Sequence, residues 1–393
     1  MEQSKMVNRF QHSNVPLDVL KERAFNYRWA AVEEDVIPLT AADPDFPVAP
    51  QILDAIRSYI EPGILSYGPA EGLISFRESI SKWYFETKDV NYSPGNILPV
   101  NSAAFGLFLA AQSILSPGDD ALILEPVDFL FRKSLEHVGA NIICSRLNKF
   151  NGGIDREEIS KLITPKLKVI YLCNPNNPLG KAVRKDDLDW LANLAEQHDL
   201  YIISDEIWAD INYDNSFISI ASLNDTLRKR TIVVSGLSKN FGLAGLRIGY
   251  VCVGDDNLFK RIFEASKVTT TAFGISTLSQ VAGTAALNES RDWLFEFKTH
   301  LKEMRDYTEG RLSKFDIFQS NQPDSTYLHF PQIRNTDMNS QELCDFILKK
   351  ARVALVPGGK NWFEEGSEGH IRICYSTSKE ILKEAFDRME LIF

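Results

Sequence analysis

Short apolar runs that alternate with helical segments constrain the fold of this chain more than any other feature. Between residues 121 and 253, the apolar runs are four to six residues long and are separated by stretches with helical periodicity. Strands that alternate with helices in this way form parallel βαβ units, and the helices cover both faces of the sheet. We therefore expect an α/β fold with a mainly parallel sheet. The predicted strands are Ala121–Leu124, Asn141–Cys144, Val169–Cys173, Leu200–Ser204, Thr231–Ser235 and Ile248–Val253.

Chain length and a change of pattern predict two domains and an N-terminal segment. A chain of 393 residues exceeds what one hydrophobic core usually serves. Residues 49–285 carry the alternating pattern and form the expected large domain, whereas residues 286–393 form a smaller α/β domain. Residues 1–48 are irregular apart from a short amphipathic patch, and we expect them to pack on the small domain. Helices are predicted at Ile52–Tyr59, Leu73–Tyr84, Phe105–Ile114, Asp292–Lys314, Ser340–Ala351 and Lys379–Met389, and further strands at Ala354–Val356 and Ile371–Tyr375.

Charge and cysteine usage exclude several classes of function. A net charge of −10 without a long basic run argues against nucleic acid or an anionic membrane as the main partner. No apolar run approaches the roughly 20 residues that span a bilayer, and the first residues lack the apolar stretch of a signal peptide. Five scattered cysteines, without a C-x-x-C pair or a histidine cluster, are typical of reduced thiols and argue against a structural zinc site. We expect a cytoplasmic protein without a metal.

Polar residues follow several of the predicted strands, where ligands of doubly covered parallel sheets bind. Asn174 and Asn177 lie in an Asn-Pro-Asn-Asn-Pro-Leu-Gly run that is also consistent with an ordinary turn. Asp205 ends another apolar run, and a partly buried carboxylate there needs a cationic partner. A protonated pyridine nitrogen and a neighbouring arginine both satisfy this need, and helix N-capping is a further alternative.

Lys239 lies in the run Ser-Gly-Leu-Ser-Lys-Asn-Phe-Gly, which is rich in small residues. A lysine in this setting, with Arg247 two helical turns on, suits a Schiff base to a phosphorylated aldehyde cofactor. The guanidinium of Arg247 is able to bind a phosphate through two parallel hydrogen bonds, although a surface ion pair is the ordinary alternative. Residues 101–104 precede a predicted helix and would present free N–H groups to the same phosphate, unless they merely begin the helix.

Arg372 lies inside an apolar strand near the C-terminus, where an arginine needs a counter-ion. A substrate carboxylate and a buried internal salt bridge are both compatible with this position. Asp45 lies in a loop that is rich in proline and aspartate, and the sequence leaves open whether it is a turn residue or a helix cap.

Together these residues resemble the class I/II aminotransferases of the aspartate aminotransferase fold. The similarity extends from Ala-Asp-Pro-Asp-Phe-Pro at residues 42–47 to the strand of Arg372. Its specificity lies in the order of the motifs: Tyr-Gly-Pro-Ala-Glu-Gly from Tyr67, then Asn-Pro-x-Asn-Pro-x-Gly, then Asp-Glu-Ile, then Gly-Leu-Ser-Lys with an arginine eight positions on. The resemblance implies a large domain that binds pyridoxal 5′-phosphate and a smaller C-terminal domain.

The resemblance also implies a role for each matching residue. Lys239 would form a Schiff base with the cofactor and then move the proton between the substrate Cα and the cofactor. Asp205 would keep the pyridine nitrogen protonated, and Asn177 would hydrogen-bond the phenolic oxygen. Tyr67 would reach the phosphate of the neighbouring subunit, which implies a homodimer. The remaining expected contacts are Ser102, Ala103, Ala104, Ser238 and Arg247 to the phosphate, and Arg372, Asn177 and Ala42 to the amino-acid substrate.

Three positions depart from the family pattern. Trp208 replaces the usual tyrosine three residues after the aspartate, and its indole N–H lies differently from a phenol. Asp128 occupies the place of the aromatic residue that stacks on the cofactor ring, so Phe129 is the expected stacking residue. Gly236 replaces a serine three residues before the lysine, which leaves one fewer hydroxyl for the phosphate. Trp208 and Asp128 put the reaction type in more doubt than the cofactor.

Three functions are compatible with these residues. Amino-group transfer between an amino acid and a 2-oxo acid is the first. A pyridoxal-phosphate C–S β-lyase is the second, because residues 205–211 and 220–223 are similar to the cystathionine β-lyase-like branch, which also lacks the tyrosine at the position of Trp208. A catalytically silent regulatory module is the third, and the retention of Lys239, Asp205 and Asn177 argues against it. The sequence leaves the amino-acid substrate open.

Overall fold

Helices and strands alternate along the chain, as the sequence pattern predicts, in a computed structural model that describes residues 9–214, 217–272 and 274–393. The helices are α1 (Leu17–Arg23), α2 (Pro50–Ile60), α3 (Ile74–Lys88), α4 (Ala103–Ile114), α5 (Leu130–Val138), α6 (Arg156–Leu162), α7 (Lys185–Gln197), α8 (Asp225–Arg230), α9 (Asp256–Ser266), α10 (Thr277–Glu289), α11 (Arg291–Leu312), α12 (Ser340–Ala351), α13 (Lys360–Phe363) and α14 (Lys379–Glu390). The strands are β1 (Ile37–Pro38), β2 (Ile97–Val100), β3 (Asp120–Glu125), β4 (Asn141–Arg146), β5 (Leu167–Cys173), β6 (Tyr201–Asp205), β7 (Thr231–Gly236), β8 (Gly249–Val253), β9 (Phe318–Gln319), β10 (Leu328–His329), β11 (Gln332–Ile333), β12 (Val353–Ala354), β13 (Val356–Pro357) and β14 (Ile371–Cys374). None of the described helices is both long and apolar enough to cross a membrane.

The largest sheet of the described residues has seven strands in the order β2-β8-β7-β6-β5-β3-β4. The pairs from β4 to β7 are parallel, which confirms the predicted α/β fold with a mainly parallel sheet. Strand β8 is antiparallel to both of its neighbours, a direction that the apolar pattern did not reveal. The reason is the connection from β7, which contains no crossover helix and brings the chain straight back.

Alternate residues of β3, β5 and β6 pack into separate cores on the two faces of the sheet. Ile123, Tyr171 and Ile203 belong to the core beneath α4, α5 and α9. Their neighbours Leu122 and Ile170 belong to the opposite core, which includes the buried face of α7. Because both faces are covered, each strand is apolar along its length, which explains why apolar runs identified the strands.

The C-terminal residues form smaller sheets that also include part of the N-terminal segment. Strand β1 pairs in parallel with β12, and β14 lies between β10 and β13 in an antiparallel sheet. The single strand predicted at Ala354–Val356 is wrong, because the chain divides at Leu355 into β12 and β13, which pair with different partners.

Asp45 lies at a bend of the loop and caps no helix, because the next helix, α2, has Ala49 at its N-cap. Its buried carboxylate pairs with Arg28, and the same oxygen accepts a hydrogen bond from Trp29 Nε1 at 2.9 Å. Arg28 Nη1 also donates to the carbonyl oxygen of Pro38 at 2.8 Å. These contacts fix the loop of residues 38–45, which passes the functional site described below.

Gly249 begins β8 at a point where the backbone of the α4 N-terminus approaches it closely. A Cβ atom on Gly249 would lie 2.6 Å from the backbone nitrogen of Ala103 and 2.6 Å from the carbonyl carbon of Ser102. Both neighbours are main-chain atoms of a buried junction, so they are unable to rotate away as a side-chain end would. The absence of a side chain at Gly249 therefore sets the distance between α4 and the sheet.

We predict that Gly249→Ala lowers the free energy of unfolding by about 1–3 kcal/mol, because the added methyl group displaces backbone in a packed junction. Denaturation by urea, followed by circular dichroism, measures the change. Gly245→Ala is the matched control, because its Cβ would meet no atom within 4 Å, and it should change stability by less than about 0.5 kcal/mol. Equal stability of the two variants would contradict the close approach.

Glu206 is a buried carboxyl group directly after β6. Its Oε1 accepts hydrogen bonds from Ser219 Oγ at 2.6 Å and Ser204 Oγ at 3.2 Å. Burial raises the pKa of Glu206 to about 7, an increase that the hydrogen bond from Ser219 partly offsets. The unfolded chain releases this proton near pH 4.5, so the folded state binds more protons between about pH 4.5 and 7. The contribution of Glu206 to the free energy of unfolding is therefore lost as the pH rises through that window.

We predict that Glu206→Gln stabilises the protein relative to wild type increasingly as the pH rises from 5 to 8, by an amount on the order of 3 kcal/mol over the full window. Glutamine keeps an oxygen acceptor for the serines and carries no charge to desolvate. Urea denaturation of both proteins across this range gives the difference, and exposed Glu303→Gln serves as the control for charge loss. A difference that does not depend on pH would show that Glu206 ionises normally.

Candidate functional site

The register of the central strands places their polar ends side by side. Cys173 of β5 pairs with Asp205 of β6, which in turn pairs with Val234 of β7. Asn177 follows β5 by four residues, and Lys239 follows β7 by three. The strands are parallel, so these side chains meet at the same edge of the sheet.

Lys239 is half-buried and points away from bulk solvent. Its Nζ donates a hydrogen bond to the carbonyl oxygen of Ala42 at 2.7 Å, and it lies 5.6 Å from the ring centroid of Trp208. Burial lowers the pKa of Lys239, while the nearby carboxyl group of Asp43 acts in the opposite direction. The amine is therefore easier to deprotonate than a surface lysine, as a nucleophile or a base requires.

Asp205 is a buried carboxyl group at the end of β6. Its Oδ1 accepts a hydrogen bond from the Ile207 backbone nitrogen at 3.0 Å, as in a turn, and no α-helix follows for it to cap. Within the described part of the chain, no arginine or lysine pairs with it. Burial raises the pKa of Asp205 to about 7. A cationic ligand atom beside Asp205 would remove this penalty.

Asn177 connects Arg372 with Asp128. Its Oδ1 accepts a hydrogen bond from Arg372 Nη1 at 3.0 Å, and its Nδ2 donates to Asp128 Oδ2 at 3.1 Å. Arg372 Nη2 donates to the carbonyl oxygen of Thr40 at 3.2 Å, and its guanidinium lies 4.9 Å above the ring of Phe363. The buried Nε of Arg372 has no hydrogen-bond partner within the described residues. The guanidinium thus retains a donor for an anion.

Burial shapes the pKa values of this group as well. It lowers the pKa of Arg372, although the carboxyl group of Asp128 opposes the decrease. It raises the pKa of both Asp128 and Asp43, because a carboxylate loses hydration there. The buried salt bridge that the sequence left open for Arg372 does not form among the described residues: its closest polar partner is a neutral amide.

The N-terminus of α4 lies beside the turn that contains Arg247. Val100 of β2 and Gly236 of β7 both pair with Gly249 of β8, so the three strand ends are adjacent. Ser102 caps α4 by accepting a hydrogen bond from the Phe105 backbone nitrogen at 3.1 Å. The next N–H groups, those of Ala103 and Ala104, have no intrahelical acceptor.

The same register brings Ser238 and Arg247 close together. Ser238 lies two residues after Gly236 of β7, and Arg247 lies two residues before Gly249 of β8, with which Gly236 is paired. Arg247 has a positive φ of 51°, is exposed and forms no ion pair with the described residues. Arg247 Nη1 donates a long hydrogen bond to the carbonyl oxygen of Ala244 at 3.5 Å. Two free N–H groups, a hydroxyl and an unpaired guanidinium form a set of donors for an anion such as a phosphate.

Two predicted residues lie apart from this group. Tyr67 is 89% exposed on the single chain. Phe129 packs edge-to-face against Trp362 with a centroid distance of 6.4 Å, and its backbone nitrogen donates to the Trp362 carbonyl oxygen at 3.0 Å. Trp208, in contrast, is buried beneath Lys239 and packs edge-to-face against Tyr327.

Sequence reasoning missed Asp43 and the hydrogen bond of Asp128. Asp43 belongs to the Ala-Asp-Pro-Asp-Phe run, and its position beside Lys239 depends on the buried Arg28–Asp45 pair, which no local pattern reveals. Asp128 was noted as a departure from an aromatic residue. The signal that would have identified its contact was its carboxylate chemistry, which suits an amide donor such as Asn177.

Comparisons with known proteins identify the family of this chain. The family described as aminotransferase class I and II matches residues 34–389. The chain is 32% identical to an aspartate aminotransferase of Pyrococcus abyssi, over 92% of this chain and 93% of that protein. The crystal structure of an aromatic aminotransferase from Pyrococcus horikoshii OT3 superimposes with a TM-score of 0.84 at 29% identity, over 92% of this chain and 97% of that chain.

A second solved structure is similar to this chain. The PLP-bound putative aminotransferase from Clostridium difficile 630 superimposes with a TM-score of 0.87 at 27% identity, over 94% of this chain and 97% of that chain. These matches support amino-group transfer and give no support to the C–S lyase alternative. Because the family match covers almost the whole chain, this protein belongs to the class I and II aminotransferases.

Proposed function

We propose that this aminotransferase holds pyridoxal 5′-phosphate through Lys239 and moves an amino group between an amino acid and a 2-oxo acid. The observation that carries the proposal is that one edge of the sheet holds both Lys239, whose pKa is lowered, and the buried carboxyl group of Asp205, which has no cationic partner among the described residues. A protonated pyridine nitrogen supplies the missing charge. When bound, the cofactor supplies an electron sink for the negative charge that develops at the substrate Cα.

The remaining donors suit the other parts of the cofactor. The N–H groups at the start of α4 and the side chains of Ser238 and Arg247 would hold the phosphate. One N–H of Asn177 Nδ2 is used by Asp128, and the second is available for the phenolic oxygen. Stacking of Phe129 on the cofactor ring stays a prediction. The full set proposed for the cofactor is Ser102, Ala103, Ala104, Phe129, Asn177, Asp205, Ser238, Lys239, Arg247 and the partner's copy of Tyr67.

The substrate would lie between Arg372 and Lys239. Arg372 has an unpaired donor for the α-carboxylate, and its contact with Asn177 fixes the plane of the guanidinium. The carbonyl oxygen of Ala42 orients the amine of Lys239 while it is free. A lysine of lowered pKa is then able to remove the proton from the substrate Cα and to deliver it to the cofactor. The indole of Trp208, beneath Lys239, limits the water that reaches this amine.

We predict that Lys239→Ala lowers the rate of the half-reaction with an amino donor by at least about a thousandfold, because the base is lost. The purified variant should also lose the chromophore of a lysine-bound cofactor that borohydride bleaches. Lys229→Ala, on an exposed helix, is the control and should behave as wild type. Single-turnover absorbance measurements decide the outcome, and turnover by Lys239→Ala at the wild-type rate would overturn the proposal.

The products of the same reaction separate transamination from β-elimination. Transamination converts the bound cofactor stoichiometrically into its amino form and releases one 2-oxo acid. Release of pyruvate and ammonia, with the cofactor unchanged, would contradict the transfer reaction for this chain.

We further propose a homodimer in which each site receives Tyr67 from its partner. The observation in support is an exposed apolar stretch directly before this residue: Ile64 is 68% exposed and Leu65 is 66% exposed. Adjacent apolar residues at this exposure are typical of an interface.

The domain division is also proposed: residues 1–48 pack on the small domain of residues 286–393, and residues 49–285 form the large domain. The pairing of β1 with β12 supports the contact between the first segment and the small domain. A cytoplasmic location is supported by five free cysteines.

We predict that Leu65→Asp converts a wild-type dimer into a monomer, because a charge in an apolar contact must be desolvated without a partner. Sedimentation velocity at several protein concentrations measures the state. Leu391→Asp is the matched control, since Leu391 is 86% exposed near the C-terminus and should leave the dimer intact. A wild-type protein that sediments as a monomer would refute the shared site.

A further inference from the structure

We infer that Asp128 makes this site selective for amino-acid substrates whose side chain ends in a positive charge. The inference rests on the function proposed above and adds a substrate class to it. It concerns a residue that occupies the place of the expected stacking aromatic.

The carboxylate of Asp128 is held only by neutral donors. Its Oδ1 accepts a hydrogen bond from the Leu130 backbone nitrogen at 3.1 Å, and its Oδ2 accepts the bond from Asn177. Within the described residues it forms no ion pair. A carboxylate with two hydrogen bonds has further lone pairs, so Asp128 retains the capacity to bind a cation.

The backbone around Asp128 is fixed by the segment that begins with α13. The nitrogen of Val127 donates to the Phe363 carbonyl oxygen at 3.3 Å, and Phe129 is tied to Trp362 in the same way. Arg132, on the next turn of the chain, pairs with the buried Glu364, with Nε to Oε2 at 2.8 Å. Contacts on both sides of Asp128 therefore fix its backbone, while the hydrogen bonds from Leu130 and Asn177 hold its carboxylate.

The charges around Asp128 leave it without a counter-ion when the site is in use. Arg372 and Lys239 are the cations that act on its carboxyl group. In the proposed function, Arg372 binds the α-carboxylate of the substrate, Lys239 holds the cofactor, and Asp205 pairs with the ring nitrogen. Asp128 then stands beside the substrate as an unpaired acid. A substrate cation would offset its desolvation, whereas a second substrate carboxylate would add a like charge.

A purely structural role for Asp128 makes a different prediction. If Asp128 only orients the amide of Asn177, its loss disturbs Arg372 and the cofactor contact for every substrate alike. A charge-selective role changes the ranking of substrates, and it persists when aspartate is replaced by glutamate. The two roles are therefore separable with substrates of equal length and different terminal charge.

The test uses the holoenzyme with L-ornithine, L-norvaline and L-glutamate, which share a five-carbon chain and end in an ammonium, a methyl and a carboxylate group. We predict that wild type has a kcat/KM for ornithine at least about tenfold above the other two. Asp128→Asn should lower the ratio of the kcat/KM for ornithine to that for norvaline to about one. Asp128→Glu should keep the preference for ornithine. Absence of the preference in wild type, or an equal loss for all three donors in Asp128→Asn, would overturn the inference.

A binding measurement separates failure of this inference from failure of the proposed function. Ligands methylated at Cα have no proton to transfer, so α-methylornithine and α-methylnorvaline report binding alone. Titration calorimetry should show tighter binding of α-methylornithine to wild type and equal binding of both ligands to Asp128→Asn. If no donor is transaminated, the proposed reaction fails, whereas the calorimetric preference still decides the role of Asp128.

Discussion

The shared edge of the parallel strands is the constraint on which the site depends. Asp205 lies at the last paired position of β6, between Cys173 and Val234. A shift of one residue in this register would turn its carboxyl group to the other face of the sheet and away from Lys239. The apolar cores on the two faces of the sheet specify the register, because such a shift would move each strand side chain into the opposite core, which is packed around side chains of other shapes. Packing far from the site thus determines which functional groups meet.

The site contains several buried ionisable groups, and burial destabilises the charged form of each. Charged ligands are able to offset this loss of hydration. Asp43, Asp128 and Asp205 all have raised pKa values, while Lys239 and Arg372 have lowered ones, and in each case burial is the largest cause. A cofactor with a ring cation and a substrate with an α-carboxylate restore the missing partners. The protein itself has already desolvated the groups, so little reorganisation remains at the time of binding.

The sequence predicted what local pattern determines and missed what depends on tertiary contact. The strands and the long helices were evident from apolar periodicity, and Asn177, Asp205, Lys239 and Arg372 stood out because each lies in or directly after an apolar run. The direction of β8 and the division at Leu355 were not evident, since both depend on pairing partners distant in the chain. The position of Asp43 was hidden for the same reason.

The loop of residues 38–45 contributes to the site through main-chain atoms. The carbonyl oxygen of Thr40 accepts a hydrogen bond from Arg372, and the carbonyl oxygen of Ala42, two residues further along the loop, accepts one from Lys239. Neither contact uses the side chain of residue 40 or 42, so these two hydrogen bonds do not themselves require a threonine or an alanine. Relatives with different residues in this loop would keep the same contacts, and comparison of side chains alone would overlook a segment that touches both cations of the site.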